Sequence, residues 1–137
     1  RLADAVAAKK IYLCKGSETP PNHRIKKASV NTTELVSWEY FENTQDAVKS
    51  LKKEVPGVKI ISVELAENSI PYDKYDYQLP LALVVGHETN GVSKEILEIS
   101  DVIVELPMHG INISLNVMVS LSVVLYKAVE IVYDESR

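Results

Sequence analysis

Residues 81–116 hold two short apolar runs, and a polar loop that contains glycine follows each run. Residues 81–85 and 101–106 are rich in Val, Ile and Leu, have no helical spacing and are bounded by Gly or Pro, which predicts two short buried strands. We expect both loops at the carboxyl ends of neighbouring strands. In α/β sheets such loops form the crevice where ligands bind. The stretch therefore predicts a functional site.

Strand-like and helix-like segments alternate along the rest of the chain. Strands are predicted at residues 9–16, 35–41 and 58–65, and helices at residues 1–8, 44–55, 93–99 and 115–133. The helix of residues 44–55 is expected to be capped by Asn43 or Thr44. Alternation without internal repeats predicts an α/β fold with a mostly parallel sheet. A length of 137 residues fits one domain, residues 1–137.

The predicted last helix is the most periodic segment. One apolar stripe is formed by Val117, Leu121, Val124, Leu125, Ala128 and Val132. Ser114 stands where a helix N-cap is expected. The opposite side is interrupted by Met118, Val123 and Ile131, which predicts a second apolar face and hence a homodimer.

Two segments between the strands are polar. Pro20 and Pro21 predict that residues 17–34 form a long irregular loop, which is a candidate for substrate contact. This loop contains the densest basic cluster, HRIKKAS at residues 23–29, for which a solvated loop is the plainer interpretation. Tyr72, Tyr75 and Tyr77 are expected to cover the sheet edge or a partner rather than to stack on bases.

Composition limits the possible classes of protein. A formal net charge of −4 disfavours nonspecific nucleic-acid binding, although a local basic patch remains possible. No apolar run reaches the roughly 20 residues that span a bilayer, and the start of the chain lacks a signal peptide. We therefore expect a cytoplasmic protein without membrane contact. The single cysteine, Cys14, rules out an internal disulfide.

The loop of residues 86–93, GHETNGVS, offers Gly86 and Gly91 for tight turns and close backbone approach. It lacks the Gly-Lys-Ser/Thr of a phosphate-binding loop. His87 and His109 each follow a predicted strand, but no further ligand stands at metal-binding spacing, so no metal is expected. No serine or cysteine lies in a nucleophile motif.

Both loops hold motifs. After the first apolar strand, Gly-x-Glu-x-x-Gly is formed by Gly86, Glu88 and Gly91. After the second, Pro-Met-x-Gly followed by Ser-Leu-Asn-Val is formed by Pro107, Met108, Gly110, Ser114, Leu115, Asn116 and Val117. With these two as its second and third motifs, the chain resembles the SpoU, or TrmH-like, RNA 2′-O-ribose methyltransferases of the SPOUT superfamily.

The first motif of that family is matched only in part. Arg1, in RLADA, falls at the place of the family's arginine, while the family's upstream Asn lies before the start of this chain. We therefore expect the sequence to begin inside the domain, without its first strand and the start of its first helix.

The resemblance implies a sheet with helices on both faces, a C-terminal trefoil knot, S-adenosylmethionine as cofactor, tRNA or rRNA as substrate, and a homodimer. It implies catalytic roles for Arg1, Glu88, Ser114 and Asn116. It implies cofactor binding by Val85, Gly86, Glu88, Gly91, Leu106, Met108, Ile113 and Leu115, with Ile111 adding to the apolar wall.

Two other interpretations remain open. A noncatalytic RNA- or nucleotide-binding module with the same knotted fold fits the acidic balance slightly better. A doubly wound phosphate-binding protein would need a glycine-rich loop after the first strand, where only Lys15 and Gly16 stand.

Overall fold

The computed structural model describes residues 1–135, whose strands form two separate parallel sheets. By their contacts the residues fall into two units, Arg1–Lys53 and Glu54–Arg137. An α/β fold with one mostly parallel sheet was predicted: the α/β class and the parallel pairing are confirmed, but the strands are divided between two sheets. The single domain of residues 1–137 stays a prediction, and its last two residues lie outside the described range.

The first unit holds a two-stranded sheet. Its elements are α1 (Leu2–Ala5), β1 (Lys10–Cys14), α2 (His23–Ser29), a 3-10 turn (Thr32–Glu34), β2 (Ser37–Phe41) and α3 (Thr44–Glu54), which reaches into the second unit. β1 and β2 pair in parallel, with Lys10 opposite Ser37 and Cys14 opposite Phe41. Asn43 caps α3 as predicted, because its Oδ1 accepts the amide N–H of Asp46 at 2.8 Å.

The helix α2 contradicts the prediction that residues 17–34 form an irregular loop. Pro20 and Pro21 restrict only their own surroundings, and the helix begins after them at His23. Asn22 is the N-cap of this helix, because its Oδ1 accepts the amide N–H groups of Arg24 at 2.8 Å and Ile25 at 3.4 Å. The basic cluster HRIKKAS therefore lies on a helix and not in a loop.

The second unit holds a four-stranded sheet. Its elements are β3 (Lys59–Val63), β4 (Ile70–Pro71), β5 (Leu81–Val84), α4 (Lys94–Ile99), β6 (Val102–Glu105) and α5 (Val117–Glu135). The strand order is β4-β6-β3-β5, and each pair is parallel. β5 and β6 therefore lie on either side of β3, so the expectation that they are neighbours is wrong. Because both run parallel to β3, their carboxyl ends still meet at one edge of the sheet.

β3 lies between two other strands, and both of its faces are covered. Ile60, Ile61 and Ser62 are fully buried, as in a parallel strand with layers on both sides. Ile61 belongs to the core cluster that includes Val124 and Ala128 of α5. The Ser62 hydroxyl lies 2.7 Å from that of Ser100, the residue that ends α4. Successive residues of β3 thus contact different helices.

The tyrosines of residues 72–77 pack in the second unit's core, as expected for tyrosines that cover a sheet. Tyr77 is buried, and its hydroxyl donates a hydrogen bond of 2.8 Å to the carbonyl oxygen of Tyr72. The Tyr75 ring meets it edge to face, with 4.9 Å between centroids. Burial, followed by the neighbouring Tyr75 and Tyr72, raises the pKa of Tyr77 to about 12.

Tyr77→Phe is expected to flatten the alkaline limb of the stability profile. The pKa of Tyr77 lies above its ordinary value of 10.0, so the neutral hydroxyl stabilises the folded state fully below pH 10. That contribution is lost as the pH rises from 10 to about 12. At neutral pH the variant loses one hydrogen bond, which is about 1 kcal/mol of unfolding free energy.

Denaturant unfolding at several pH values measures this effect. Tyr126→Phe is the matched control, because Tyr126 is 49% exposed. Equal alkaline slopes for Tyr77→Phe and the wild type would contradict the assigned role of burial.

Candidate active site

The loop after β5 is closed on itself. The amide N–H of Gly91 donates to the carbonyl oxygen of His87 at 2.9 Å, and the N–H of His87 donates back to that of Gly91 at 3.2 Å. A methyl group added at Gly86 would overlap the backbone of Gly91, which itself has a φ of +66°. The predicted close backbone approach of Gly86 and Gly91 is thus confirmed. Val85 and Gly86 are half-buried at the base of this loop.

Glu64, which the sequence analysis missed, joins this loop to the central strand. It directly follows β3, and its Oε2 accepts the amide N–H of Val92 at 2.9 Å. Its Oε1 accepts the N–H of Leu65 at 2.9 Å, and a methyl group at Gly91 would overlap the carboxylate. An acid at the end of a predicted strand was visible in the sequence. Its partner, 28 positions away, was not.

Glu88 stands at the exposed tip of the glycine loop. Its side chain is 76% exposed, and its Oε2 lies 3.7 Å from Nε2 of His87. The Nδ1 atom of His87 accepts the amide N–H of Thr89 at 3.1 Å, which fixes the imidazole against the loop. The Glu88 carboxylate is therefore accessible to a ligand from solvent.

The loop between β6 and α5 carries the residues of the third motif. Leu106 packs against the core cluster, and Met108 is half-buried. Ile111, Ile113 and Leu115 are 104%, 69% and 45% exposed, so this loop presents three apolar side chains to solvent. Exposed apolar side chains this close in sequence can contact a ligand or another part of the protein.

Asn116, and not Ser114, is the N-cap of α5. Its Oδ1 accepts the amide N–H of Met118 at 2.9 Å and that of Val119 at 3.3 Å. The amide and hydroxyl of Ser114 instead both donate to Oδ1 of Asn112, each at 3.1 Å. The prediction of Ser114 as the cap is wrong, because Asn112 turns the chain first and the helix begins at Val117.

The structure thus brings Val85, Gly86, Gly91 and Glu64 together at the carboxyl edge of the sheet. Ser114 and Asn116 bond within their own segment, and Glu88 contacts its neighbour His87. Arg1 belongs to the first unit, where it precedes α1 and its carbonyl oxygen accepts the amide N–H of Ala5 at 2.9 Å. The catalytic roles stay predictions.

Neither a metal centre nor a membrane-spanning helix is found among the described residues. Residues 1–135 contain no group of three His, Cys, Asp or Glu side chains placed to hold a metal ion. Across the same residues, no helix has both the length and the apolar character needed to cross a membrane.

Comparison with known proteins identifies closely similar sequences. The family model described as SpoU rRNA Methylase family matches residues 1–126. The tRNA (guanosine(18)-2'-O)-methyltransferase of Aquifex aeolicus is 38% identical over 107 residues, which are 75% of this chain and 51% of that protein. The enzyme of that name from Escherichia coli K12 is 30% identical over 131 residues, covering 93% of this chain and 54% of its own length.

Solved structures agree with these sequences. The TrmH/SpoU tRNA modifying enzyme of A. aeolicus superposes with a TM-score of 0.82 at 31% identity, covering 98% of this chain and 67% of that one. The AdoMet-bound rRNA methyltransferase of Sinorhizobium meliloti gives 0.84 at 25% identity, covering 94% and 48%. This chain spans about half the length of the curated relatives it matches.

Proposed function

From the premise that the chain belongs to the SpoU rRNA methylase family, we propose that it methylates a ribose 2′-hydroxyl in tRNA or rRNA with S-adenosylmethionine as donor. The family match over residues 1–126 is the observation that carries this proposal. The proposal extends the activity named for the A. aeolicus and E. coli relatives to this chain.

The residues at the carboxyl edge of the four-stranded sheet suit the cofactor. The closed loop of residues 86–92 brings backbone groups close to the strand ends, where polar edges of an adenosine can pair with them. The exposed side chains of Ile113 and Leu115 offer an apolar surface for a ring. When bound, S-adenosylmethionine supplies an electrophilic methyl group. We assign its binding to Val85, Gly86, Glu88, Gly91, Leu106, Met108, Ile113 and Leu115.

The chain's part in the reaction is to position and polarise the ribose hydroxyl. The Arg1 guanidinium would bind the adjacent phosphate with two hydrogen bonds and stabilise the negative charge that the ribose oxygen gains as its proton passes to water. Glu88, Ser114 and Asn116 would orient the ribose, the first through its exposed carboxylate. Holding the hydroxyl in line with the methyl group would supply a further large part of the rate gain.

The direct test is to incubate the chain with S-adenosylmethionine carrying a labelled methyl group and with total tRNA or rRNA. Nuclease digestion and mass spectrometry should find the label on a 2′-O-methylated nucleoside. Cofactor binding without label in RNA would contradict the enzyme and favour the noncatalytic binding module.

The trefoil knot and the cytoplasmic location belong to the same proposal. Family membership supports the knot, in which α5 passes through a loop of its own domain. An RNA substrate supports the location.

We propose that the chain forms a homodimer through α5. Val124 and Ala128 of this helix are buried in its own unit, whereas Met118, Val119, Val123 and Tyr126 are 36–65% exposed. A row of exposed apolar side chains on one helix is uncommon in a monomer.

Met118→Asp is expected to convert the dimer to a monomer, because a carboxylate buried in an apolar interface is strongly unfavourable. Size-exclusion chromatography with light scattering measures the mass. Glu95→Lys, a charge change on the exposed side of α4, should leave the dimer intact. A monomeric wild type, or a dimeric Met118→Asp variant, would refute the interface.

A further inference from the structure

An open cavity lies within the first unit, and its lining includes none of the motif residues described above. Its volume is about 730 Å³, within the range of small-ligand sites. Its lining is apolar at Ile25 and Trp38, polar at His23, positive at Lys26 and negative at Glu34. An indole face beside a lysine suits a nucleotide, since a base has a flat face and a phosphate has negative charge, while the carboxylate can accept a hydrogen bond from a base amino group.

The cavity is held in shape by regular structure. Trp38 lies in β2, where it pairs with Ile11 of β1, and its side chain remains 39% exposed. Asn22 fixes the start of α2, and its Nδ2 also donates to Oε2 of Glu18 at 3.0 Å. The hydroxyl of Thr32 donates to the carbonyl oxygen of Ser29 at 2.8 Å, which ties the 3-10 turn to α2. The indole is therefore presented by a strand and bordered by a capped helix.

Charge is divided unequally along the sequence. Residues 1–53 contain ten Lys and Arg against six Asp and Glu, a formal charge of +4. Residues 54–137 contain five against thirteen, a formal charge of −8. The net charge of −4 thus conceals a basic first unit, and charge asymmetry of this kind favours nucleic-acid contact by the basic part.

We propose that this cavity binds one unstacked nucleotide of single-stranded RNA, with its base on the indole of Trp38 and its phosphate at Lys26. Proteins read RNA largely through splayed bases of loops and ends that stack on aromatic side chains. The inference rests on the proposed function only in that RNA is the substrate. It assigns the first unit the task of holding an unpaired nucleotide of the substrate RNA.

Trp38 is the one tryptophan in the sequence, so tryptophan fluorescence, excited at a wavelength that tyrosine does not absorb, reports on this cavity alone. The probe is a mixed-sequence single-stranded RNA of about ten nucleotides, enough to fill one such groove. Saturable quenching is expected with the single strand. The same RNA annealed to its complement should quench far less, because its bases are stacked inside the duplex. Equal quenching by both would overturn the inference in favour of a general polyanion surface.

Paired variants locate the contact, with affinity measured by anisotropy of a labelled single strand. Trp38→Ala should weaken binding about tenfold, since stacking of one base contributes that much. Tyr40→Ala, on the same strand but outside the cavity, should change it less than about twofold, as surface substitutions generally do. Lys26→Ala should flatten the salt dependence more than Lys27→Ala, which also lies outside the lining. If Trp38→Ala does not fold, the β-branched Trp38→Thr replaces it.

The outcomes separate this inference from the proposed function. Selective single-strand binding at Trp38 without any methyl transfer would support the cavity and refute the enzyme. Methyl transfer with unchanged RNA affinity and unchanged KM for RNA in Trp38→Ala would refute the cavity and leave the enzyme intact. The affinity for S-adenosylmethionine should be equal in all of these variants.

Discussion

Arg1→Ala is expected to lower the rate of methyl transfer about 100-fold or more, as the loss of one preorganised donor to a developing oxyanion does. The affinity for S-adenosylmethionine should stay unchanged. A guanidinium presents two parallel N–H donors to a phosphate and keeps its charge at every accessible pH. The loss should therefore appear in kcat with RNA saturating, because the interaction strengthens as charge develops on the ribose oxygen.

Two further variants make the test specific. Arg1→Lys keeps the charge but not the bidentate geometry, so it should recover only part of the rate. Lys9→Ala removes an exposed cation of the same unit and should leave the rate unchanged. Cofactor affinity is measured by calorimetry for each variant. Full activity in Arg1→Ala would exclude the catalytic role, and lost cofactor affinity would assign Arg1 to cofactor binding instead.

The strands that carry the candidate site were predictable because their signal is local. The apolar runs at 81–85 and 101–106 became β5, Leu81–Val84, and β6, Val102–Glu105. A continuous run of β-branched and aliphatic residues bounded by Gly or Pro is typical of a buried strand in a parallel sheet. The same local logic located α3 and α5, whose apolar spacing follows the helical period.

The features that the sequence did not predict depend on competition between neighbouring residues or on contacts between residues far apart in the sequence. Ser114 and Asn116 are both good N-caps, and the choice between them followed from Asn112, which engages Ser114 first. Placing β3 between β5 and β6 is a matter of sheet order, which no local pattern encodes. The contact of Glu64 with Val92 exists only because β3 and β5 pair side by side.

Glu64→Ala is expected to weaken S-adenosylmethionine binding about tenfold and to lower the stability of the loop after β5. The change leaves the buried amide N–H of Val92 without its acceptor, which costs about 1–3 kcal/mol. A loop that is no longer tied to β3 samples other conformations, and the cofactor must then restore the closed one. Glu64→Gln can satisfy only one of the two N–H groups in full, so its effect should be intermediate. Glu67→Ala, an exposed acid nearby, is the matched control.

Combining Gly91→Ala with Glu64→Ala gives a double-mutant cycle that measures this contact. The substitution is expected to be more harmful than Glu64→Ala, because the backbone has a φ of +66° and the added methyl group would overlap the Glu64 carboxylate. In the Glu64→Ala background the overlap is removed and only the backbone strain remains. The double variant should therefore lose less cofactor affinity than the sum of the two single losses. Strict additivity would show that Glu64 and Gly91 act independently. It would contradict the role of the Glu64 carboxylate in holding the glycine loop for the cofactor.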